Sequence, residues 1–312
     1  NQFSEKVEND VYRYFQNGRG HESETEEKIA ILNPYDKSLV GYIQNCSENE
    51  IDNLVKTAQQ SQPCWQERPI RQRADVLKKA ADIMEDWAND LGNFLINENG
   101  KPKSSAIGEI TRTAEIFRFT AETGLQMEGK TYLGDAFRGY TRGKISMTYR
   151  VPLGVILCIS PFNYPFNLAG SKIAPALMAG NAVVMKAATE GSITTLYLGE
   201  ILKKAGLPDG VFNIATGKGS EIGDYLVMHP EINMVAFTGS TNIGNHIADI
   251  AGMKPLLLEL GGKDAALVLN DADLEKTSKA IVDGAFSYSG QRCTAVKRVI
   301  PLPEIADHLI KH

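Results

Sequence analysis

From Gly154 onward the sequence alternates between two textures, and that alternation limits the fold more than any other feature. Short apolar runs at 155–159, 182–185, 211–214, 234–237 and 256–260 are separated by stretches of helical spacing. Runs this short suit strands buried on both faces and are too short for buried helices. Strands spaced by helices argue for parallel pairing, with the helices laid against the sheet. The expectation is an α/β fold built on a doubly wound parallel sheet.

Upstream, a polar opening that includes the acidic run 22–27 gives way to helical periodicity, clearest over 71–97. There Val76, Leu77, Ala80, Ile83, Met84 and Trp87 recur at three- and four-residue steps, a core-facing stripe. A second helix is predicted over 109–122, with Ala114, Ile116 and Phe119 set among Arg112, Glu115 and Arg118. On that helix Arg112 points either to solvent or into a cleft. Between Tyr132 and Arg150, Gly134, Gly139 and Gly143 punctuate residues of strand character: Tyr132, Tyr140, Ile145, Met147 and Tyr149. An extended hairpin follows, a candidate interface arm. The longest apolar stretch, 151–159, contains Pro152 and Gly154 and reads as a buried strand, well short of the roughly 18 residues that suggest a membrane span.

A chain of 312 residues exceeds the usual single-domain size, so two domains, or one and part of another, are expected. A formal net charge of −5 gives no general drive toward nucleic acid or anionic membrane. Cys46, Cys64, Cys158 and Cys293 form no CxxC pair and no zinc-ligand spacing, so neither a metal site nor a disulfide framework is expected. The opening residues lack the basic-then-apolar pattern of a signal peptide. A cytoplasmic setting is expected.

Five motifs occur in order: Pro161-Phe162-Asn163-Tyr164-Pro165, Ala182-Val183-Val184-Met185-Lys186, Phe237-Thr238-Gly239-Ser240, Leu258-Glu259-Leu260-Gly261-Gly262-Lys263 and Gly290-Gln291-Arg292-Cys293-Thr294. Together they resemble the aldehyde dehydrogenase superfamily, from about Val11 to the carboxyl end. The wording of 161–165, 219–224 and 288–297 is similar to the branch of non-phosphorylating, NADP-dependent glyceraldehyde-3-phosphate dehydrogenases. The resemblance implies a Rossmann-like sheet with helices on both faces, a protruding hairpin arm and the start of a second α/β catalytic domain. Its implied domains are cofactor-binding at 1–130 and 152–259, an oligomerisation arm at 131–151, and a truncated catalytic domain at 260–312. Members of the family continue well past His312, so a fragment or an unusually short member is expected.

Oxidising an aldehyde needs a nucleophile that makes the carbonyl carbon tetrahedral before hydride leaves, and a thiolate does this best near neutral pH. Cys293 follows small and polar residues suited to a turn, and the neighbouring Arg292 favours the thiolate. The resemblance assigns the oxyanion to the Asn163 amide and the Cys293 backbone N–H. It makes Glu259 the base that activates water against the thioester, in an apolar setting that would raise its pKa. The branch that passes its acyl group to coenzyme A typically lacks this base, so hydrolysis is expected.

For the cofactor, the turn Phe237-Thr238-Gly239-Ser240 and a helix beginning near Thr241 suit phosphate, with Gly239 and Gly244 allowing close approach. Gly217-x-Gly219-x-x-x-Gly223 imitates a dinucleotide fingerprint one residue too long, so it is weak evidence. The resemblance adds Pro161, Phe162, Gly219 and Gly223 to the cofactor set. NAD-preferring relatives carry an acid three residues after the lysine that matches Lys186. Here Thr189 stands there, so NADP is favoured and NAD remains possible. Arg112 and Arg292 match the arginines that hold a substrate phosphate in the branch, with Tyr164 and Thr294 beside them. The implied partners are a small-molecule aldehyde and further copies of the chain as dimer or tetramer, with no nucleic acid and no membrane. Two other readings stay open: a different aldehyde such as a semialdehyde, and a truncated chain that binds nucleotide or a subunit without turnover.

Overall fold

The apolar runs after Gly154 all become strands in the computed structural model, which describes residues 7–8, 10–139 and 143–312. The chain clusters into two units, the first holding Asn1–Phe237 and Ile247–Leu257, the second Thr238–His246 and Leu258–His312. The amino-terminal segment supplies β1 (Val7–Glu8), β2 (Val11–Tyr12), β3 (Tyr14–Gln16), β4 (Arg19–His21), β5 (Lys28–Leu32) and β6 (Leu39–Gln44). Helices α1 (Glu48–Gln66), α2 (Ile70–Asp86), α3 (Ala88–Asn99) and α4 (Lys103–Gly124) follow, then β7 (Lys130–Leu133) and β8 (Ile145–Thr148). Strands and helices then alternate: β9 (Val155–Ile159), α5 (Pro165–Met178), β10 (Ala182–Lys186), α6 (Ser192–Ala205), β11 (Phe212–Ala215), α7 (Gly219–Met228), β12 (Met234–Thr238), α8 (Thr241–Ile250) and β13 (Leu256–Glu259).

The main sheet runs in the order β13-β12-β9-β10-β11-β3-β4. Parallel registers place Ala182 opposite Val155 and Met234 opposite Ile156. The chain winds outward from β9 to β11 and then returns to the far side of β9, which makes the sheet doubly wound with its switch point between β9 and β12. Helices α5 and α6 pack together against β9 to β11, and α1, which also touches these strands, packs with α7. Covered in this way, β9, β10 and β11 are buried almost throughout, and their composition is apolar apart from Lys186 and Asn213, as such strands require. The sequence did not reveal that β3 extends the sheet antiparallel, with Phe15 opposite Ile214.

Three sequence expectations change. The buried strand begins at Val155, because Pro152 lacks an N–H and Gly154 turns at φ +125°; Val151 is 75% exposed. The helix expected over 71–97 is two helices, α2 and α3, meeting at Trp87 (φ −97°, ψ 4°), with Leu77, Ala80 and Met84 buried as predicted. On α4 the buried stripe is Ile110, Ala114, Phe117 and Ala121, while Phe119 is 71% exposed. Two residues are 200° of helix, so Phe117 and Phe119 cannot share a face. The hairpin pairs Lys130 with Thr148 through Leu133 with Ile145, all exposed; Tyr140, read as part of it, lies outside the described residues.

The second unit adds β14 (Asp264–Val268), α9 (Leu274–Phe286), β15 (Val296–Pro301) and α10 (Pro303–Lys311). Strands β14 and β15 pair in parallel around the α9 crossover, a βαβ unit. No helix among the described residues is long and apolar enough to cross a membrane.

Candidate active site

At the carboxyl edge of the sheet, β10 delivers Lys186, which is 5% exposed. Burial pulls its ammonium down to about 8, against the opposing pull of Glu190. A Cβ built on Gly219, the first residue of α7, would stand 3.9 Å from Lys186 Nζ. A helix start without a side-chain cap beside an ammonium suits an anion, since most first-turn N–H groups lack a partner within a helix. The Thr189 hydroxyl lies 3.4 Å from the Gly217 carbonyl, tying the loop after β10 to the one before α7. Gly223 has open space where its Cβ would be. Lys218, next to Gly219, has its charge matched by Glu27 and Glu221, each at 3.0 Å.

After β9 the chain passes Ser160, Pro161 and Phe162. The Ser160 hydroxyl is buried without a hydrogen-bond partner among the described residues, and Phe162 is half-exposed. An orphaned hydroxyl at the switch point, a buried lysine and a bare helix start together fit the polar body of a dinucleotide.

Asn163 and Tyr164 follow. Asn163 Oδ1 accepts the Tyr164 N–H at 3.0 Å. The Asn163 carbonyl accepts Lys101 Nζ at 2.6 Å. Lys101 is paired with Glu109, both side chains fully buried, and sits 3.9 Å from the Tyr164 ring centroid. Burial lowers the Lys101 pKa, and Glu109 opposes the shift. Arg112 is exposed: its Nε donates to the Gly108 carbonyl at 3.1 Å and its guanidinium lies 5.9 Å from the Tyr164 ring. Asn163 and Tyr164 thus stand at the start of α5, with Arg112, from the middle of α4, beside the Tyr164 ring.

Strand β12 ends with Phe237 and Thr238, both buried. Gly239 donates its N–H to the Glu259 carbonyl at 3.0 Å, and Ser240 caps α8 by accepting the Ile243 N–H at 3.3 Å. Gly244 leaves room for Leu260, whose side chain a Cβ there would meet at 2.4 Å. Glu259 is exposed, so the apolar setting expected for it is absent: β13 is the edge strand, and its outward residues, Leu257 and Glu259, face solvent.

Cys293 has a free, exposed thiol at the end of a tight turn. Tyr288, Ser289 and Gly290 are all left-handed (φ 53°, 54° and 69°), and a Cβ on Gly290 would stand 2.9 Å from the Ala285 carbonyl. Lys297 closes the turn, its Nζ donating to the carbonyls of Arg292 and Cys293 at 3.2 Å and of Ala295 at 3.0 Å. Arg292 Nη2 donates to the Gly284 carbonyl at 2.6 Å, which lays this guanidinium on the carboxyl end of α9. Thr294 is exposed in the same turn. Sequence reasoning assigned no role to Lys101, Glu109, Ser160 or Lys297. The one available signal was that Lys297 lies four residues beyond Cys293.

A doubly wound sheet with this switch point places the chain in the class of Rossmann-like α/β proteins. Within that class it belongs to the aldehyde dehydrogenase family, which matches residues 21–312. The NADP-dependent glyceraldehyde-3-phosphate dehydrogenase of Streptococcus equinus is 48% identical over 300 residues, 96% of this chain and 63% of that protein. Its counterpart from Zea mays is 44% identical over 311 residues, 99% of this chain and 62% of that protein. The crystal structure of the NADP-dependent glyceraldehyde-3-phosphate dehydrogenase from Bacillus halodurans complexed with NADP aligns with TM-score 0.93 at 48% identity, covering 96% of this chain and 63% of that one. The chain therefore spans a little under two thirds of the length of these relatives.

Proposed function

We propose that the protein oxidises D-glyceraldehyde 3-phosphate to 3-phosphoglycerate with NADP, in the cytoplasm, through a cysteine thioester. The observation that carries this reading is the 48% identity, over nearly the whole chain, to an enzyme named for that activity. Residues 1–130 and 152–259 are assigned to the cofactor, the arm 131–151 to self-association, and 260–312 to catalysis.

The Cys293 thiolate adds to the aldehyde carbon, and the C–S bond forms as the carbonyl π pair moves onto oxygen. The Asn163 amide and the Cys293 backbone N–H hold that oxyanion; loss of one such donor costs about 100- to 1,000-fold in rate. NADP, held by the residues named below, would supply the acceptor for the hydride that leaves this carbon. Glu259, exposed to water, takes a proton from the water that attacks the thioester, releasing the acid and returning the thiolate. Lys186, Thr189 and the start of α7 hold the adenosine end. With a neutral Thr189 in place of an acid, nothing there repels a 2′-phosphate, while Arg112 and Tyr164 receive the substrate's phosphate.

Mixing the chain with NADP and D-glyceraldehyde 3-phosphate should give a burst of NADPH that is lost in Cys293→Ser. No burst with this or any carboxylated aldehyde overturns the reading. A burst only with carboxylated aldehydes moves the substrate to the semialdehydes.

A further inference from the structure

We propose that Lys101 and Glu109 are positioning residues for the oxyanion donor: with Asn99 they fix two consecutive peptide planes and so aim the Asn163 amide. This rests on the role proposed above for Asn163.

Helix α3 ends at Asn99, and Gly100, left-handed at φ 65°, turns the chain back under the loop that follows β9. Asn99 Nδ2 donates to the Phe162 carbonyl at 3.0 Å and Lys101 Nζ to the Asn163 carbonyl at 2.6 Å. Both peptide groups that flank the Asn163 Cα are therefore held, and with Oδ1 tied to the Tyr164 N–H the side chain is held as well. Glu109 completes the clamp, accepting the N–H groups of Phe166 at 3.0 Å and Asn167 at 3.1 Å. These are first-turn donors of α5, whose own N-cap residue, Tyr164, supplies no side-chain cap.

A buried ion pair is a weak device for stability, because desolvating two charges offsets most of their attraction. Here Lys101 also donates to the Asn163 carbonyl and Glu109 accepts from Phe166 and Asn167, so the pair holds the segment that carries Asn163. That allocation is what geometric control of one side chain requires. A displacement of about 1 Å at a reacting group costs on the order of 100-fold.

The test uses Lys101→Met/Glu109→Gln, which keeps volume and leaves no unpaired buried charge, alongside Lys101→Arg. In the folded double variant, amide exchange across 160–168 should quicken and kcat should fall about 10- to 100-fold. KM for NADP and the rate of Cys293 alkylation by iodoacetamide should stay unchanged. Lys101→Arg should keep more of the rate than the double variant. In an Asn163→Ala background the same double change should lower kcat by no more than about threefold, because the two act through one group. Unchanged kcat in the folded double variant, or a full loss added on top of Asn163→Ala, overturns the proposal. If the wild-type chain turns over no aldehyde, the functional reading above fails on its own, and the clamp is judged by exchange: unaltered protection of 160–168 refutes it.

Discussion

Glu98 offers a sharp test of how the sheet's carboxyl edge is built. Its carboxylate, 3% exposed, accepts the N–H groups of Ile193 and Thr194, each at 2.8 Å, and also the Thr194 hydroxyl. It thereby caps α6 from α3, since the N-cap residue, Gly191, has no side chain. Burial raises its pKa from 4.5 to about 7, with the hydrogen bonds from Thr194 and Ile193 opposing. A raised pKa means that the folded state holds the proton more tightly than the unfolded state does. The stability from the protonated form is full below about pH 4.5 and is lost as pH rises through about 7, a change of about 3 kcal/mol. Glu98→Gln keeps the shape without the ionisation, so the two proteins should be of similar stability near pH 4.5. By pH 8 the variant should be ahead by about 3 kcal/mol. Urea midpoints measured from pH 4.5 to 8 decide it. Parallel curves refute the reasoning, and a wild type that gains on the variant toward pH 8 shows that the hydrogen bonds outweigh desolvation.

A Cβ on Gly199 of α6 would meet the Phe15 ring at 2.6 Å, so Gly199→Ala should cost about 1–3 kcal/mol in thermal melts, and an unchanged Tm would contradict the packing of β3 under α6. Thr189→Glu places a carboxylate three residues after Lys186, where it repels a 2′-phosphate and accepts from a ribose hydroxyl; cofactor titrations should show affinity for NADP falling about tenfold or more relative to NAD. An unaltered ratio would remove Thr189 from the adenosine site.

The central strands were legible because they are buried on both faces, which leaves a short apolar run just after a glycine, as in 155–159 and 182–185. Strands β1 to β4 were not: they are two or three residues long, and β3 takes its place through the Phe15 ring, a contact that no local period encodes. The break at Trp87 was hidden for a similar reason, since no Gly or Pro marks it and the apolar spacing runs on across it. Cys293 was visible as a sulfur in a turn of small and polar residues. The supports of Asn163 were not, because Lys101 and Glu109 lie 62 and 54 residues away from it in the chain and meet it only in three dimensions. Arg112 divided the two readings: sequence left solvent and cleft open, and the structure lays an exposed guanidinium beside the Tyr164 ring.

Residues 98–101 grip the start of α6 through Glu98 and the loop after β9 through Asn99 and Lys101. On the roles proposed above, two traits that an engineer would want to vary separately, the choice of coenzyme and the speed of the chemistry, share one anchor. Libraries that randomise 187–191 to change coenzyme should accumulate compensating substitutions in this tetrapeptide, and gains in one trait will be inherited together with changes in the other.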